Sequence, residues 1–546
     1  MSPSDRADGG ETPGMSFGAV EPFTAEERAR LAPYFTNVDQ PVFALVNLPE
    51  VVKGALFARY SRSPKSLRRL FLDEFADLAT AEGAPARDVG IARAERLFER
   101  VFVEYGDDSV AQLGGVHLAV EDASNLLTKV LERGRLMAYL EQSTRYIPYT
   151  DRRGDAWRYV VPRELDGHPL RARAVASMNR AFETYAGAIE TMRAWFERRV
   201  PKAATDSDAV YRSAIRAKAL DTLRGLLPAA TQSNVGIYGT GQAYETLLLR
   251  MRAHPLQEVR DTADAMLIEL RKVIPAFLTR VDQPDRGGRW TQYLADTRAR
   301  MVDLSARLTA GVTATPQDEV TLTAFDPDGE MNVVAAALYE TSALADAEAM
   351  DVARRLSPAE RAEVLRTYAG QRTNRRHKPG RAFERTSYRF DILTDYGAFR
   401  DLQRHRLLSI EWQPLTTRHG YSEPEAVIEA GAGDAWRAVM DDAAEVADAL
   451  VDAGLAGVAQ YVVPMAYRIR FVMDMNAREA IHVIELRTAP AGHPAYRRVC
   501  QRMHQLIEDA AGHHAIAAIM QFADHSAVEL ERLQEERRLE AKRQRA

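Results

Sequence analysis

A single cysteine, Cys500, stands among 546 residues. Its solitude excludes an internal disulfide framework and a cysteine-based metal cluster, and agrees with a reducing, cytoplasmic setting. Long apolar runs are lacking too: no stretch approaches the roughly 18 to 20 residues that cross a bilayer, so no membrane partner is expected. Residues 1–22 hold Gly, Pro and acidic side chains but no apolar segment, which excludes a secretory signal and predicts a disordered leader. Neither sign of charge prevails. The 72 Lys and Arg face 77 Asp and Glu, and the net charge of -5 gives no general attraction to nucleic acid. What is present, 46% hydrophobic and 27% charged residues, is the make-up of a globular protein long enough for two to four domains.

The chain repeats itself. Ala55-Leu56-Phe57-Ala58-Arg59-Tyr60-Ser61 has a counterpart in Ala337-Leu338-Tyr339-Glu340-Thr341-Ser342. A polar loop follows in each half, Glu104 to Gln112 and Arg376 to Glu384. Then come Arg133-Gly134-Arg135 and Arg404-His405-Arg406, next Leu226-Leu227-Pro228 and Val462-Val463-Pro464. Each half closes on a similar piece, Arg252-Ala253-His254-Pro255 in one and Arg487 through His493-Pro494 in the other. Landmarks in one order, twice, predict two related domains, 23–281 and 321–527. The linker 282–320 is punctuated by Asp285-Arg286-Gly287-Gly288 and Thr313-Ala314-Thr315-Pro316. Apolar residues at three- and four-residue spacing predict helices over 172–199, 435–452 and 496–511. Strands are scarcer, with Trp157–Val161 and Tyr388–Ile392 as candidates. Residues 528–546 read as a charged, solvated helical tail.

The Arg-x-Arg pieces carry the chemistry. A guanidinium is always charged and binds two acceptors at once, which suits a phosphate-bearing or planar anionic ligand. The plain alternative for Arg133 and Arg135 is a pair of solvated arginines at a helix end. For His405 it is a satisfied structural histidine. Arg478 and Arg487, nine residues or about two and a half turns apart, read as sharing one helical face. His513, His514 and His525 form no convincing ligand set, so no metal site is expected. The densest basic patch, Arg372, Arg375, Arg376, His377, Lys378 and Arg381, reads as a solvated loop, the lining of a nucleotide or folate-glutamate pocket, or a non-specific RNA contact.

Arg404-His405-Arg406 in one half and Glu141-Gln142-Ser143-Thr144-Arg145-Tyr146 in the other together resemble the signature of the flavin-dependent thymidylate synthases. The resemblance runs over most of both halves, as a fused tandem of two divergent copies. It implies an α+β fold, helix-rich around a small sheet in each half. It also implies reductive methylation of dUMP, or a related pyrimidine nucleotide, at C5. Methylenetetrahydrofolate, FAD and NADPH take part, and no enzyme cysteine attacks the ring. Family members are tetramers, so a fused chain would reproduce the assembly as a homodimer, a pseudo-tetramer.

Carried over residue by residue, the resemblance assigns substrate binding to Arg133, Glu141, Ser143, Arg145, Tyr146 and Arg224. Ser143 and Arg145 suit a phosphate, and Glu141 accepts from ribose hydroxyl or pyrimidine N–H groups. Cofactor binding falls to Ser109, Arg135, Glu384, Arg404, His405, Arg406, Asn476, Arg478 and His482. Arg145 and Arg487 are the expected catalytic pair. The copies differ: Gly134 stands where the motif has histidine, while Trp412 and Pro414 replace the second copy's Glu and Ser. The expected live site is therefore composite, pairing Arg133 to Arg145 with Asn476 to Arg487. The intact Arg404-His405-Arg406 would fall to the poorer pairing with the Thr240 region. The alternative is a non-catalytic nucleotide- or flavin-binding paralogue, a sensor or scaffold.

Overall fold

The computed structural model describes residues 21–60, 63–74, 112–145, 147–528, 530 and 532–545. The fold is α+β, and one plan is built twice. In the first half, β1 (Gly115–Ser124) runs straight into helix α1 (Asn125–Leu131), whose first turn is capped by the Ser124 side chain. The Arg133-Gly134-Arg135 segment turns the chain into β2 (Met137–Glu141). Two long helices follow, α2 (Arg171–Arg199) and α3 (Asp208–Leu223). The last strand, β3 (Gln232–Thr240), is capped by Thr240 into α4 (Gly241–Arg252). Strand order is β1-β3-β2, all antiparallel, with Val116 opposite Gly239 and Met137 opposite the same glycine.

Helix α5 (Arg289–Leu308) connects the halves. The second half adds an edge strand, β4 (Val320–Phe325), and then repeats the plan. Here β5 (Ser387–Asp395) enters α6 (Tyr396–Leu402) through an Asp395 cap. The Arg404-His405-Arg406 segment leads to β6 (Ser409–Trp412). Helix α7 (Gly433–Asp452) precedes β7 (Arg468–Asn476), which Asn476 caps into α8 (Ala477–Arg487). Helix α9 (Pro494–Asp509) closes the domain. Strand order is β4-β5-β7-β6. Asx and Ser/Thr caps at all four strand-to-helix junctions satisfy amide donors that the first helical turn leaves orphaned.

The long helices are amphipathic. On α2, Met178, Phe182, Tyr185, Ile189, Met192 and Phe196 are buried at three- and four-residue steps. Burying one such large side chain stabilises by about 1.5–3 kcal/mol. On α7 the buried face is Trp436, Val439, Met440, Ala443, Val446 and Leu450. The two helices meet across the halves, where Arg173 reaches Asp442 at 2.7 Å. One hydrophobic core runs through both halves.

A pseudo-twofold axis passes between Pro228 and Pro464, which bridge each other. The hydrogen bonds around it are reciprocal. Ala229 N–H donates to Val463 and Met465 N–H to Leu227, both at 2.9 Å. Ala230 donates to Tyr461 and Ala466 to Gly225, again both at 2.9 Å.

Several expectations change in detail. Of Trp157–Val161 only Ala156–Trp157 pairs as a strand, with Arg152–Arg153, and Tyr159 makes a lone bridge to Thr231. The expected linker holds the 20-residue helix α5, whose Arg298 donates to the Ala253 carbonyl at 2.8 Å. The charged tail forms a helix, Leu533–Arg545, tethered through Arg537, which grips both carboxylate oxygens of Asp206. Arg372 of the basic patch is buried, bound to Glu485 and to the Ile519 carbonyl, so it is no solvated loop residue. Cys500 is buried on α9, and burial pushes its thiol up to about 12, as befits a packed side chain.

Candidate active site

Across the axis, each half's Arg-x-Arg turn lies against the other half. One side of the junction is densely charged. A cavity of about 250 Å³ is lined by Glu141, Ser143, Arg145 and Arg224 from the first half and Arg404 and Arg487 from the second. It shares Arg224 with a neighbouring cavity of about 570 Å³ that reaches Asp221, His493 and Arg498.

Asp401, on α6, is the hub. Arg404 bonds it from the next helical turn, Arg224 lies 3.6 Å away and Arg487 3.8 Å. Burial alone would raise its pKa. Instead Arg404, Arg224, Arg487 and Arg145 hold this carboxyl far below the usual range. Glu141, at the end of β2, is as strongly gripped. Arg400 meets it at 2.8 Å and Lys129 at 3.3 Å. Burial opposes ionisation, yet Arg400, Lys129 and Arg404 bring Glu141 down to about 2. Its carboxylate therefore stays an acceptor at neutral pH.

Arg145 reaches Asp221 with Nε at 3.0 Å and Nη2 at 2.8 Å, and donates to the Tyr496 hydroxyl at 3.1 Å. Arg224 has a buried Nη2 with no hydrogen-bond partner among the described residues. It reaches the site because residue 397 is glycine: a Cβ there would sit 3.2 Å from Arg224 Nε.

Arg487, from the last turn of α8, donates its Nε–H to His405 Nε2 at 2.9 Å. Arginine only donates, so this nitrogen is the acceptor and the proton sits on Nδ1, 3.6 Å from Glu479. Burial, with Arg487, His482 and Arg404, pushes His405 well below its ordinary pKa, so the ring is neutral. Burial lowers His482 to about 4 and raises Glu479 to about 7. His405, Glu479 and His482 present ligand atoms within 4.8 Å of one another. Around them, however, Lys378, Arg375, Arg406, Arg478 and Arg487 supply positive charge, which favours an anionic occupant over a cation.

The structure thus brings Glu141, Ser143, Arg145 and Arg224 together with Arg404, His405 and Arg487. Placements differ from the sequence reading for Arg404, His405 and Arg133, as well as for Arg478. Arg404 and His405 face Glu141 and Arg487, not the Thr240 region. Arg133 leaves for a second cavity, where it lies over the Trp412 ring at 4.9 Å. The cause is the twofold: it carries each turn across to the opposite half, so Arg404 meets Glu141, while Arg133 meets Trp412.

Arg135 and Arg406 form another reciprocal pair. Arg135 donates to the Leu408 carbonyl at 3.2 Å, and Arg406 donates to the Met137 carbonyl. Asn476 spends its side-chain oxygen on the Glu479 N–H as helix cap. Arg478 turns toward the Pro379 carbonyl and Glu384, away from Arg487. The half turn left over in nine residues puts the two arginines on opposite faces of α8. Ser109 and Tyr146 lie outside the described residues.

Sequence reasoning missed Arg400, Asp401, Asp221, His493 and Tyr496. The available signal was Arg400 one turn before Arg404, at the place Lys129 holds before Arg133. No described helix is long and apolar enough to cross a membrane.

Comparison with known proteins follows the duplication. A UPF0159 protein of Chlamydia muridarum is 38% identical over 525 residues, covering 95% of this chain and 99% of that protein. A UPF0159 protein of Thermoplasma acidophilum is 31% identical, covering 90% of this chain and 99% of its own length. The flavin-dependent thymidylate synthase of Mycobacterium marinum is 29% identical over 179 residues, 32% of this chain and 66% of that enzyme. A solved UMP/dUMP methylase from Streptomyces cacaoi, bound with 5-Br dUMP, matches at 20% identity and a TM-score of 0.29, covering 38% of this chain and 96% of that one. The family model described as thymidylate synthase complementing protein matches twice, over residues 55–276 and 321–511. The chain therefore belongs to the thymidylate synthase complementing protein family, as a tandem of two copies.

Proposed function

We propose that this chain is a flavin-dependent enzyme that reductively methylates dUMP, or a related pyrimidine nucleotide, at C5. The observation that carries the reading is the convergence of Arg145, Arg224, Arg404 and Arg487, from both halves, on one cavity that also presents Glu141 and Ser143. Arg145, Arg224 and Ser143 suit a phosphate monoester, and ionised Glu141 accepts from a ribose hydroxyl or ring N–H. Asp401 and Asp221 keep the guanidiniums apart and aimed until the ligand's charge arrives. Arg487, held by neutral His405, supplies fixed positive charge where the pyrimidine ring gains electron density.

The donor set fits an anionic flavin dinucleotide. The cations Arg406 and Arg478 and the neutral rings of His405 and His482 line one flank, and Arg404 Nε and Gln403 Oε1 are buried without hydrogen-bond partners among the described residues. The chemistry a bound FAD supplies is hydride donation, with NADPH as reductant and methylenetetrahydrofolate as one-carbon donor. Buried Cys500, its thiol pushed up, is unsuited to attack a ring, which agrees with a cysteine-free route.

Tritium release from [5-³H]dUMP, with methylenetetrahydrofolate, NADPH and FAD, tests the reading. Release is expected from the intact chain and is abolished by Arg145→Ala; full activity in that variant sinks the assignment. One flavin per chain is expected, and two would mean that the other side of the axis is live as well. Pairing of two chains into a four-domain assembly is part of the same proposal, checked by light scattering.

A further inference from the structure

The axis that builds the charged cavity builds another on its opposite side, of about 610 Å³. Its wall is Leu126, Trp412, Pro414 and Leu415, where the charged side has Gly397, in the neighbouring cavity, and Glu141, Ser143 and Thr144. Gln460 takes the place of Arg224 and ties the loop down by accepting the Leu415 N–H at 3.0 Å. A site that had merely decayed would be expected to lose its cations as well. This one keeps three arginines beside Lys129, which is spent on Glu132 and Glu141.

Arg133, Arg250 and Arg298 all line it. Arg250 has a buried Nε with no hydrogen-bond partner among the described residues. Arg298 spends one nitrogen on the Ala253 carbonyl, and Arg133, itself exposed, lies over the Trp412 ring. The only carboxylate on the wall, Glu411, forms no ion pair with any of the three among the described residues. Burial lowers the pKa of both Arg250 and Arg298, and the charge of Arg133 lowers each further. Uncompensated like charges around a half-apolar cavity are unfavourable without a counter-charge. A smaller cavity of about 300 Å³ shares Arg133, Arg250 and Glu411 and lengthens the groove.

We propose that this second cavity is a non-catalytic ligand site for a phosphate monoester carried on a planar, largely apolar body of nucleoside monophosphate size. The three guanidiniums match a dianion, and the Leu126, Leu415 and Trp412 wall matches the body. With no counterpart of Glu141, Ser143 or Arg224, the cavity has nothing to orient a reacting ring. The inference rests on this cavity alone and stands whichever reaction its partner performs.

The experiment uses the full chain carrying Arg145→Ala, which disables the charged cavity, titrated with dUMP by calorimetry and by tryptophan emission. Binding of about one nucleotide per chain is expected, with an emission change that Trp412→Phe removes. Adding Arg250→Gln and Arg298→Gln should weaken binding about tenfold or more. If that pair no longer melts cooperatively, Arg298→Gln alone, on the exposed helix α5, should still weaken it. No binding to the Arg145→Ala chain overturns the proposal. So does affinity unchanged by the arginine substitutions, or an emission change that survives Trp412→Phe. Inorganic phosphate bound as tightly as dUMP would overturn the nucleotide-sized body.

Discussion

The two sides of the axis started from one design and now run on different physics. Around Asp401, guanidiniums and carboxylates alternate: Arg404, Arg224, Arg487, Asp221 and Arg145 each have an opposite charge within 4 Å. At the equivalent places the other side has Val130 for Asp401, Gly457 for Asp221 and Gln460 for Arg224. The carboxylates and the arginine they serve are absent there together. A buried ion pair that loses one member leaves an uncompensated charge, so such networks are kept or discarded whole.

Glycine marks the same divide. Gly397 leaves room for Arg224, while its counterpart Leu126 faces Gln460 across the apolar cavity. Gly134 stands for His405, and a Cβ on it would come within 2.4 Å of the Tyr139 hydroxyl. Tyr139, opposite Ile410 of the other copy, fills the space a histidine would need and bonds the Gly134 N–H at 3.0 Å.

The largest expected effect comes from breaking the network at its hub. Asp401→Ala leaves Arg404, Arg224 and Arg487 facing one another and should cost about 3–5 kcal/mol, read as a lower denaturant midpoint. Arg133→Ala, in the sparse cavity, should cost under ~1 kcal/mol. Equal losses would show the two sides to be energetically alike.

Exchanging the glycines tests the divide next. Gly397→Leu should destabilise by about 1–3 kcal/mol through overpacking against Arg224. Adding Arg224→Gln should restore stability without restoring nucleotide binding, and a double-mutant cycle measures the coupling. Gly134→His should likewise be disfavoured alone and recovered by Tyr139→Ile. If Gly134→His is neutral alone, Tyr139 does not hold that space.

A smaller effect is set by pH. Burial keeps His254 near about 4, His482 near about 4 and His493 near about 3, so all three stay neutral in the folded chain where the unfolded chain takes up protons. Stability should therefore fall as pH drops from about 6.5 toward 4, on the order of 1–3 kcal/mol per histidine. Glu479, raised to about 7, works in the opposite sense between about pH 4.5 and 7. His493 sits 3.8 Å from Asp221 and His254 lines the apolar cavity. Replacing each by glutamine and following thermal midpoint against pH separates the two sides. A midpoint flat between pH 7 and 4 would contradict the neutral assignment.

The duplication and the helix-rich halves were legible because each is a local pattern that occurs twice, and the site's arginines because they sit in or beside short motifs. Tyr388–Ile392 reads as a strand from its own alternation, and it forms the middle of β5. The exchange of Arg133 and Arg404 between cavities was not legible, because it depends on where the axis runs. That in turn depends on backbone hydrogen bonds at Pro228 and Pro464 that no side-chain pattern announces. Asp401 and Asp221 escaped notice for a related reason: each looks like an ordinary helix carboxylate until Arg224 arrives on Asp401 from the other half, and Arg145, distant in sequence, on Asp221.

The reciprocal hydrogen bonds about Pro228 and Pro464 have a consequence for how such a protein changes. Where identical subunits meet on a twofold, one altered codon rewrites both sides of the axis, and a loss on one side is a loss on both. Here the axis runs between two stretches of a single polypeptide, so the two sides are free to differ. Gly134, Trp412 and Gln460 are substitutions that identical subunits would have carried into the charged cavity as well.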